Sequence, residues 1–415
     1  MDRTSSNIPS IRARAARFNG RLAIVAVSVF FNFAGFTLVI PVLPFAVARY
    51  VPPADIAWWV SAILALYSLC AFVAAPVLGA FSDRYGRRPV MLLSLCGAAL
   101  GFAVFGVGGA LWVLVLGRVI EGLTAGSIAA LYAYVADTHE PAARGPAFGM
   151  LGAAGGLGFM LGPVLGGALA QVALAAPLYG AAGLALVNCA LVWLWMPESH
   201  AAARRAARLS LRQFDPIGQL VRALRAPRLR LLFFVVFCFA LGGAVLQANL
   251  TVLLKDLLGF EPARIGFVLA GVGVMDIVSQ GLAAPRLQVR FGERRIATAG
   301  LAINGLGLAL FALLPLHAGA PLLVVAIAVF TFGDGLFQPS ASALIANAAP
   351  AEAQGEVQGA NQAQQAIART AGPLAAAWLY GASAGAPYAA AACIVLLAAA
   401  ALARIRGSSD PCRAS

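Results

Sequence analysis

Charge is what this chain has least of. Its 415 residues include 16 Asp and Glu and 29 Lys and Arg, 11% in all, against about 25% in soluble domains. With 61% hydrophobic residues, the chain has more apolar surface than a water-soluble core of this length can hide. There are three histidines, and HExxH, GxSxG, Walker-type and His-rich patterns are all missing, so no catalytic cluster, metal set or cofactor site can be assembled. The chain is therefore not expected to be an enzyme. The six cysteines show no CxxC and no paired spacing, which argues against a disulfide or zinc framework. The Arg-rich first 20 residues precede an apolar run of full spanning length with no clear cleavage site, so they do not read as a cleavable signal peptide.

What is present is a series of long apolar runs. Crossing the hydrocarbon core takes about 20 mostly apolar residues. Twelve such runs are found, at 21–44, 56–80, 89–109, 111–136, 146–171, 174–197, 229–254, 263–284, 296–316, 320–345, 356–380 and 384–403. They must be helices, because lipid cannot satisfy open backbone groups and the runs are too long for barrel strands. The sequence predicts an all-α membrane protein of twelve spans.

The net charge of +13 could suggest a nucleic-acid partner, but its distribution gives a different reason for it. With both termini placed in the cytoplasm, 24 of the 29 basic residues fall on that side. Arg49, Lys255 and Arg264 fall on the other, and Arg118 and Arg369 lie inside spans. That is the positive-inside pattern. No nucleic-acid partner is expected, and contact of the central basic loop with anionic lipid is secondary.

Residues 198–228 interrupt the pattern and divide the chain. We read 1–20 as a cytoplasmic tail, 21–197 as a six-helix bundle, 198–228 as a basic cytoplasmic linker with room for one amphipathic helix, 229–404 as a second six-helix bundle and 405–415 as a tail. The halves repeat. Arg84-Tyr85-Gly86-Arg87-Arg88 after span 2 has a counterpart in Arg290-Phe291-Gly292-Glu293-Arg294 after span 8. Gly145, Gly149, Gly162 and Pro163 recur at one offset, 210, as Gly355, Gly359, Gly372 and Pro373. Internal repeats with a site at their interface are a feature of alternating-access transporters.

Several motifs stand out. Gly79 through Pro89 carries Gly79, Asp83, Arg84, Gly86, Arg87 and Arg88. Gly79 permits a close helix approach, Gly86 can turn with positive φ, and Asp83 can pair with Arg87. A purely topogenic basic loop would need neither the aspartate nor the glycines. In span 4, Arg118 and Glu121 are spaced i, i+3 and can pair; charges within a span usually mark a pathway, and a static buried pair is the alternative. Span 5 carries Gly162-Pro163 and Gly166-Gly167 in a glycine series that allows backbone contact between helices, with Pro163 removing a backbone bond. Asp276 and Asp334 are buried ionisable groups of the second half. Gln358, Asn361, Gln362, Gln365 and Arg369 form a polar stripe in span 11, for which interhelical hydrogen bonding is the bland alternative. Apolar pockets with a few polar groups suit drug-like molecules. Candidate lining residues are Asn32, Phe33, Phe36, Tyr132, Gln247, Phe332 and Phe337, together with the stripe.

These motifs resemble those of the major facilitator superfamily, in its twelve-helix drug/proton antiporter branch. The resemblance covers about residues 20–405. Gly79–Pro89 resembles the signature loop between helices 2 and 3. Gly117-Arg118-Val119-Ile120-Glu121-Gly122 resembles a motif whose arginine takes part in proton coupling. Gly162–Gly167 resembles a motif of exporters. Pro41-Val42-Leu43-Pro44 and Pro197-Glu198-Ser199-His200 are similar to the tetracycline exporters. Those exporters carry membrane aspartates in helices 1, 3 and 9, and the resemblance matches these to Asn32, Gly101 and Asn304 in this chain. The resemblance thus moves any proton role to Glu121, with Arg118, or to Asp276 or Asp334.

The expected function is proton-coupled antiport of a small amphipathic organic molecule, drug or metabolite, by alternating access. Partners are that substrate, protons and membrane lipids. The expected form is a monomer in the bacterial inner membrane. A siderophore exporter, an uptake carrier, a channel and a membrane sensor or enzyme stay open as alternatives.

Overall fold

The computed structural model describes residues 8–139, 141–200, 218, 221, 224, 227–317, 319–348 and 354–404. All the regular elements among them are helices: α1 (Ile8–Leu38), α2 (Leu43–Val47), α3 (Ile56–Tyr85), α4 (Arg87–Val107), α5 (Leu111–Leu123), α6 (Ser127–Thr138), α7 (Pro141–Ala170), α8 (Ala176–Trp195), α9 (Pro227–Leu258), α10 (Pro262–Val278), α11 (Ala284–Phe291), α12 (Glu293–Leu313), α13 (Ala320–Ala348), α14 (Gln354–Ala382) and α15 (Ala386–Arg404). Short 3-10 turns precede α2 and α3, and a π-turn, Ser279–Ala283, joins α10 to α11. Most of the predicted linker lies outside the described residues.

Eleven segments are long and apolar enough to cross a membrane, and they correspond one for one to the predicted runs other than the eleventh. The protein is a multi-pass membrane protein. The eleventh run folds as α14, 29 residues long and interrupted by the amides of its polar stripe. Span 4 departs from expectation. It is two half-helices, α5 and α6, parted at Thr124–Gly126. In span 5, α7 stays helical through Pro163.

The chain forms two compact units. One takes Met1–Ala46, Val73–Phe214 and Pro262–Ala270; the other takes Val47–Phe72, Asp215–Glu261 and Gly271–Ser415. In the first, α7 lies against α1 along a glycine row. A Cβ at Gly158 would stand 2.5 Å from the Phe30 carbonyl oxygen, one at Gly162 would stand 2.6 Å from that of Ala34, and one at Gly166 would overlap that of Leu38. The helices therefore touch backbone to backbone, and only a residue without a side chain fits. Thr37 bridges the same seam, donating to Phe33 O at 2.8 Å, with Gly158 O at 3.3 Å. Gly167 and Pro163 make similar contacts with Ala263 and Gly266 at the start of α10.

In the second unit α14 lies against α9. A Cβ at Gly372 would meet the Ala244 methyl at 2.8 Å and Leu241 O at 3.3 Å. Gly162 over Ala34 and Gly372 over Ala244 are the same contact 210 residues apart (372 − 162 and 244 − 34), so the repeat extends to a packing site. Each unit also has a crossing where two glycines face each other. Gly101 and Gly117 meet between α4 and α5, and Gly300 and Gly333 between α12 and α13.

Candidate functional site

The functional side chains of the first unit gather around the break in span 4. Arg118 and Glu121 sit in the last turns of α5, 3% and 5% exposed, joined at 2.7 Å between Nη1 and Oε2. The guanidinium also lies 4.9 Å from the Phe105 ring centre and 5.8 Å from that of Phe102. A buried charge is tolerable only when paired in this way. Immediately after Glu121 the helix stops. Thr124 turns its hydroxyl back to Ile120 O at 2.8 Å, and Gly97 on α4 leaves the room that this side chain fills. α6 restarts at Ser127, whose hydroxyl donates to Asn32 Oδ1 at 2.6 Å. Asn32 Nδ2 donates to Ser28 O at 2.9 Å, and Asn188 Nδ2 donates to the same oxygen at 3.0 Å. The amide expected at the site is therefore held at both ends by its own unit.

The loop between α3 and α4 forms the second cluster. Gly86 has φ 109°, the left-handed region that glycine alone enters without strain. This turn aims the first amides of α4 at Glu198, whose carboxylate accepts from Arg87 N at 2.9 Å and Arg88 N at 3.1 Å. A Cβ at Gly86 would overlap that carboxylate. An anion there satisfies open amides and the positive end of the helix. The Arg87 guanidinium bridges Asp83 at 2.5 Å and Asp137, the last acid of α6, at 2.9 Å. Ser199 donates to Asp137 at 3.2 Å. Arg88 donates to Trp193 O, and Arg84 lies over the Tyr85 ring. The predicted Asp83–Arg87 pair is present. The close approach expected at Gly79 is not, since a Cβ there would meet nothing within 4 Å. Asp137 and Glu198 were not foreseen as members. They stand 50 and 111 residues from Arg87, and only the Pro197–His200 resemblance marked the second.

In the second unit the π-turn places Ser279 against Gly335, where any side chain on residue 335 would overlap the serine. Asp276, three residues before Ser279, and Asp334, next to Gly335, flank this contact. Gln280 bonds to Asp276, whose Oδ1 is buried without a hydrogen bond. Phe337 is 1% exposed and packs against Phe239 with ring centres 4.4 Å apart, so it belongs to the packed interior rather than to an open lining. Asn361 is also turned inward, 5% exposed and accepting from Gln364 at 3.0 Å, which removes it from the polar stripe. Gln362 and Arg369 are exposed, and Gln365 is half-buried. The side chain of Gln358 lies outside the described set. Phe33 lies under Gly155 and Tyr132 stacks on Phe148 at 5.5 Å. Phe36 and Phe332 are half-buried, and Gln247 is exposed. The positions that the family resemblance matches to membrane aspartates are filled differently. Gly101 meets Gly117 O and Glu121, and Asn304 is fully buried, donating to Phe330 O at 3.2 Å.

An all-helical, multi-pass chain with repeated halves and an ionic loop between its second and third spans has the architecture of a secondary transporter. The Major Facilitator Superfamily model matches residues 25–279 and 232–413, and the chain belongs to that family. It is 34% identical to the class C tetracycline resistance protein of Escherichia coli over 88% of this chain and 91% of that protein. It is 33% identical to the class G protein of Vibrio anguillarum over 85% and 88%. The crystal structure of the human organic anion transporter MFSD10 (TETRAN) superposes with a TM-score of 0.73 at 25% identity, covering 93% of this chain and 99% of that one. The protein is a transporter and not an enzyme.

Proposed function

We propose that this protein exports a small amphipathic organic molecule across a bacterial inner membrane in exchange for protons, by alternating access. In this reading it acts as a monomer, with the spans grouped as 21–197 and 229–404. α14 crosses the membrane with the other eleven segments, and both termini are cytoplasmic. The observation that carries the reading is the Arg118–Glu121 pair, buried inside a span and ending at a helix break. An unpaired carboxylate at that depth costs several kcal/mol, so opening the pair and taking up a proton are linked events. The ionic cluster of Asp83, Arg84, Gly86, Arg87 and Arg88 is the gating element, with the seam at Gly162, Pro163, Gly166 and Gly167. Asp276 and Asp334 form a second carboxyl pair for the same proton. The outward direction is supported by the tetracycline resistance relatives. Tetracycline itself is disfavoured, because Asn32, Gly101 and Asn304 cannot release a proton.

Inside-out vesicles test the proposal. With an acid interior, a fluorescent lipophilic dye should accumulate in vesicles holding the wild-type protein, and Glu121→Gln should abolish gradient-driven uptake while dye binding persists. Dye leaving the vesicles under the same gradient would make the protein an uptake carrier. Full gradient-driven transport by Glu121→Gln would move the proton to Asp334 or Asp276.

A further inference from the structure

Two arginines lie inside spans, and their surroundings differ. Arg118 is sealed against Glu121 at 3% exposure. Arg369 stands at the middle of the 29-residue α14 with an exposed side chain. Among the described residues no carboxylate pairs with it within 4 Å. Asp276, one of the two intramembrane acids of that unit, bonds to Gln280 instead.

The circumference of α14 explains the exposure. At about 100° per residue, Gln362, Gln365 and Arg369 fall within about 60° of one another. Ile367, Leu374 and Trp378, which are 37%, 37% and 76% exposed, fall on roughly the opposite side, about 170° away. Between them, at about 200–260° from Gln362, runs a packed strip of Val357, Asn361, Gln364 and Ala368, which are 4%, 5%, 4% and 0% exposed. The apolar exposed face is the one that hydrocarbon can cover. A guanidinium left in hydrocarbon is prohibitively costly, so the opposite face must meet water or a ligand.

We propose that Arg369 receives an anionic group, a carboxylate or sulfonate, on the transported molecule, with Gln362 and Gln365 on the same face as neutral hydrogen-bonding neighbours. This rests on the transporter reading above and adds the charge class of the substrate: an amphipathic organic anion. The planar fork of a guanidinium matches a carboxylate through two parallel bonds. The neighbouring amides supply further donors without supplying a competing charge.

Two probes sharing one aromatic body decide the matter: 1-pyrenebutyrate and the same pyrene chain ending in trimethylammonium, titrated into purified protein in detergent. The butyrate should bind at least tenfold more tightly, and Arg369→Gln should weaken it roughly 10–100-fold, the range for hydrogen bonds to a charged group, with the ammonium probe unchanged. Arg369→Lys should keep part of the affinity, which separates loss of charge from loss of fold. Equal affinity for both probes, no saturable binding of the butyrate, or unchanged butyrate affinity in Arg369→Gln would each overturn the assignment. Because binding is read without a gradient, failure of proton-driven export would leave this result standing, and the reverse also holds.

Discussion

The seam between α1 and α7 and the seam between α9 and α14 occupy equivalent places in the repeat, yet they are built differently. In the first, Gly158, Gly162 and Gly166 rest on carbonyl oxygens of α1. In the second, the residues at offset 210 from those three are Ala368, Gly372 and Ala376. Both alanines are fully buried, and the one glycine meets a methyl group first. Duplication therefore kept the position of the contact and let its closeness diverge. Backbone against backbone cannot yield by a side-chain adjustment, whereas a methyl contact can be relieved by changing the partner.

Substitutions can break this contrast. Gly166→Ala should have the largest effect, because its Cβ would overlap the Leu38 carbonyl and α1 would have to move. Overpacking of this kind costs about 1–3 kcal/mol, and transport balanced within a few kcal/mol between two states should fall below detection in vesicles while the protein still reaches the membrane. Gly162→Leu should likewise abolish export without preventing insertion. Gly162→Ala should be milder, since the first atom its Cβ meets is the Thr37 hydroxyl, and adding Thr37→Ala should restore part of the thermal stability of the purified protein. Gly372→Ala should be the smallest of the series, about 1 kcal/mol, and Ala244→Gly in the same chain should reverse it. An Ala34→Gly partner for Gly162→Ala should give no such relief, because the remaining contacts there are backbone atoms of Ala34. Equal rescue in both units would show that the seams are alike after all.

The loops after spans 2 and 8 sharpen the same comparison. The first is tied by Asp83, Arg87, Asp137 and Glu198. In the second, Gly292 also has a positive φ of 81°, but a Cβ there would meet nothing within 4 Å. Glu293 accepts from Asn347 at 3.0 Å and Gln288 donates to Ser340 at 2.8 Å. Asp83→Asn and Glu198→Gln should therefore lower turnover several-fold with little change in ligand affinity, whereas Glu293→Gln should change both by less than about twofold, since exposed polar contacts contribute about 0–1 kcal/mol. Rates and affinities measured on the same vesicle preparations would show a shared role for the two loops if Glu293→Gln slowed turnover as much.

Eleven spans were legible because hydropathy over about 20 residues is a local property. The ion pair of Arg118 and Glu121 was legible for the same reason, since a spacing of three residues fixes a shared face. Asp137 and Glu198 were not, because their partners lie far off in sequence and nothing near them announces a helix N-terminus to be capped. The break at Thr124–Gly126 was equally silent. It holds no proline and sits between apolar flanks, and its cause lies in the fit of Thr124 against Gly97 on another helix. Pro163 was a visible signal, and α7 stays helical through it. Phe337 and Asn361 show the limit of face assignment: period alone places them, but only their neighbours, Phe239 and Gln364, decide that they are enclosed.

That three-residue break also changes how motion passes along span 4. Glu121 rides on α5 and Asp137 on α6, so the buried ion pair and the ionic cluster around Arg87 sit on separate levers. A continuous helix would transmit a tilt at one end to the other as a stiff rod. Here the tilt reaches the other end through a joint, and a Cβ at Gly126 in that joint would press on Leu78 at 2.8 Å and on the Ser94 hydroxyl at 3.0 Å. How faithfully one end of the span follows the other is then set by the torsional stiffness of Thr124, Ala125 and Gly126 and by how firmly α3 and α4 grip them.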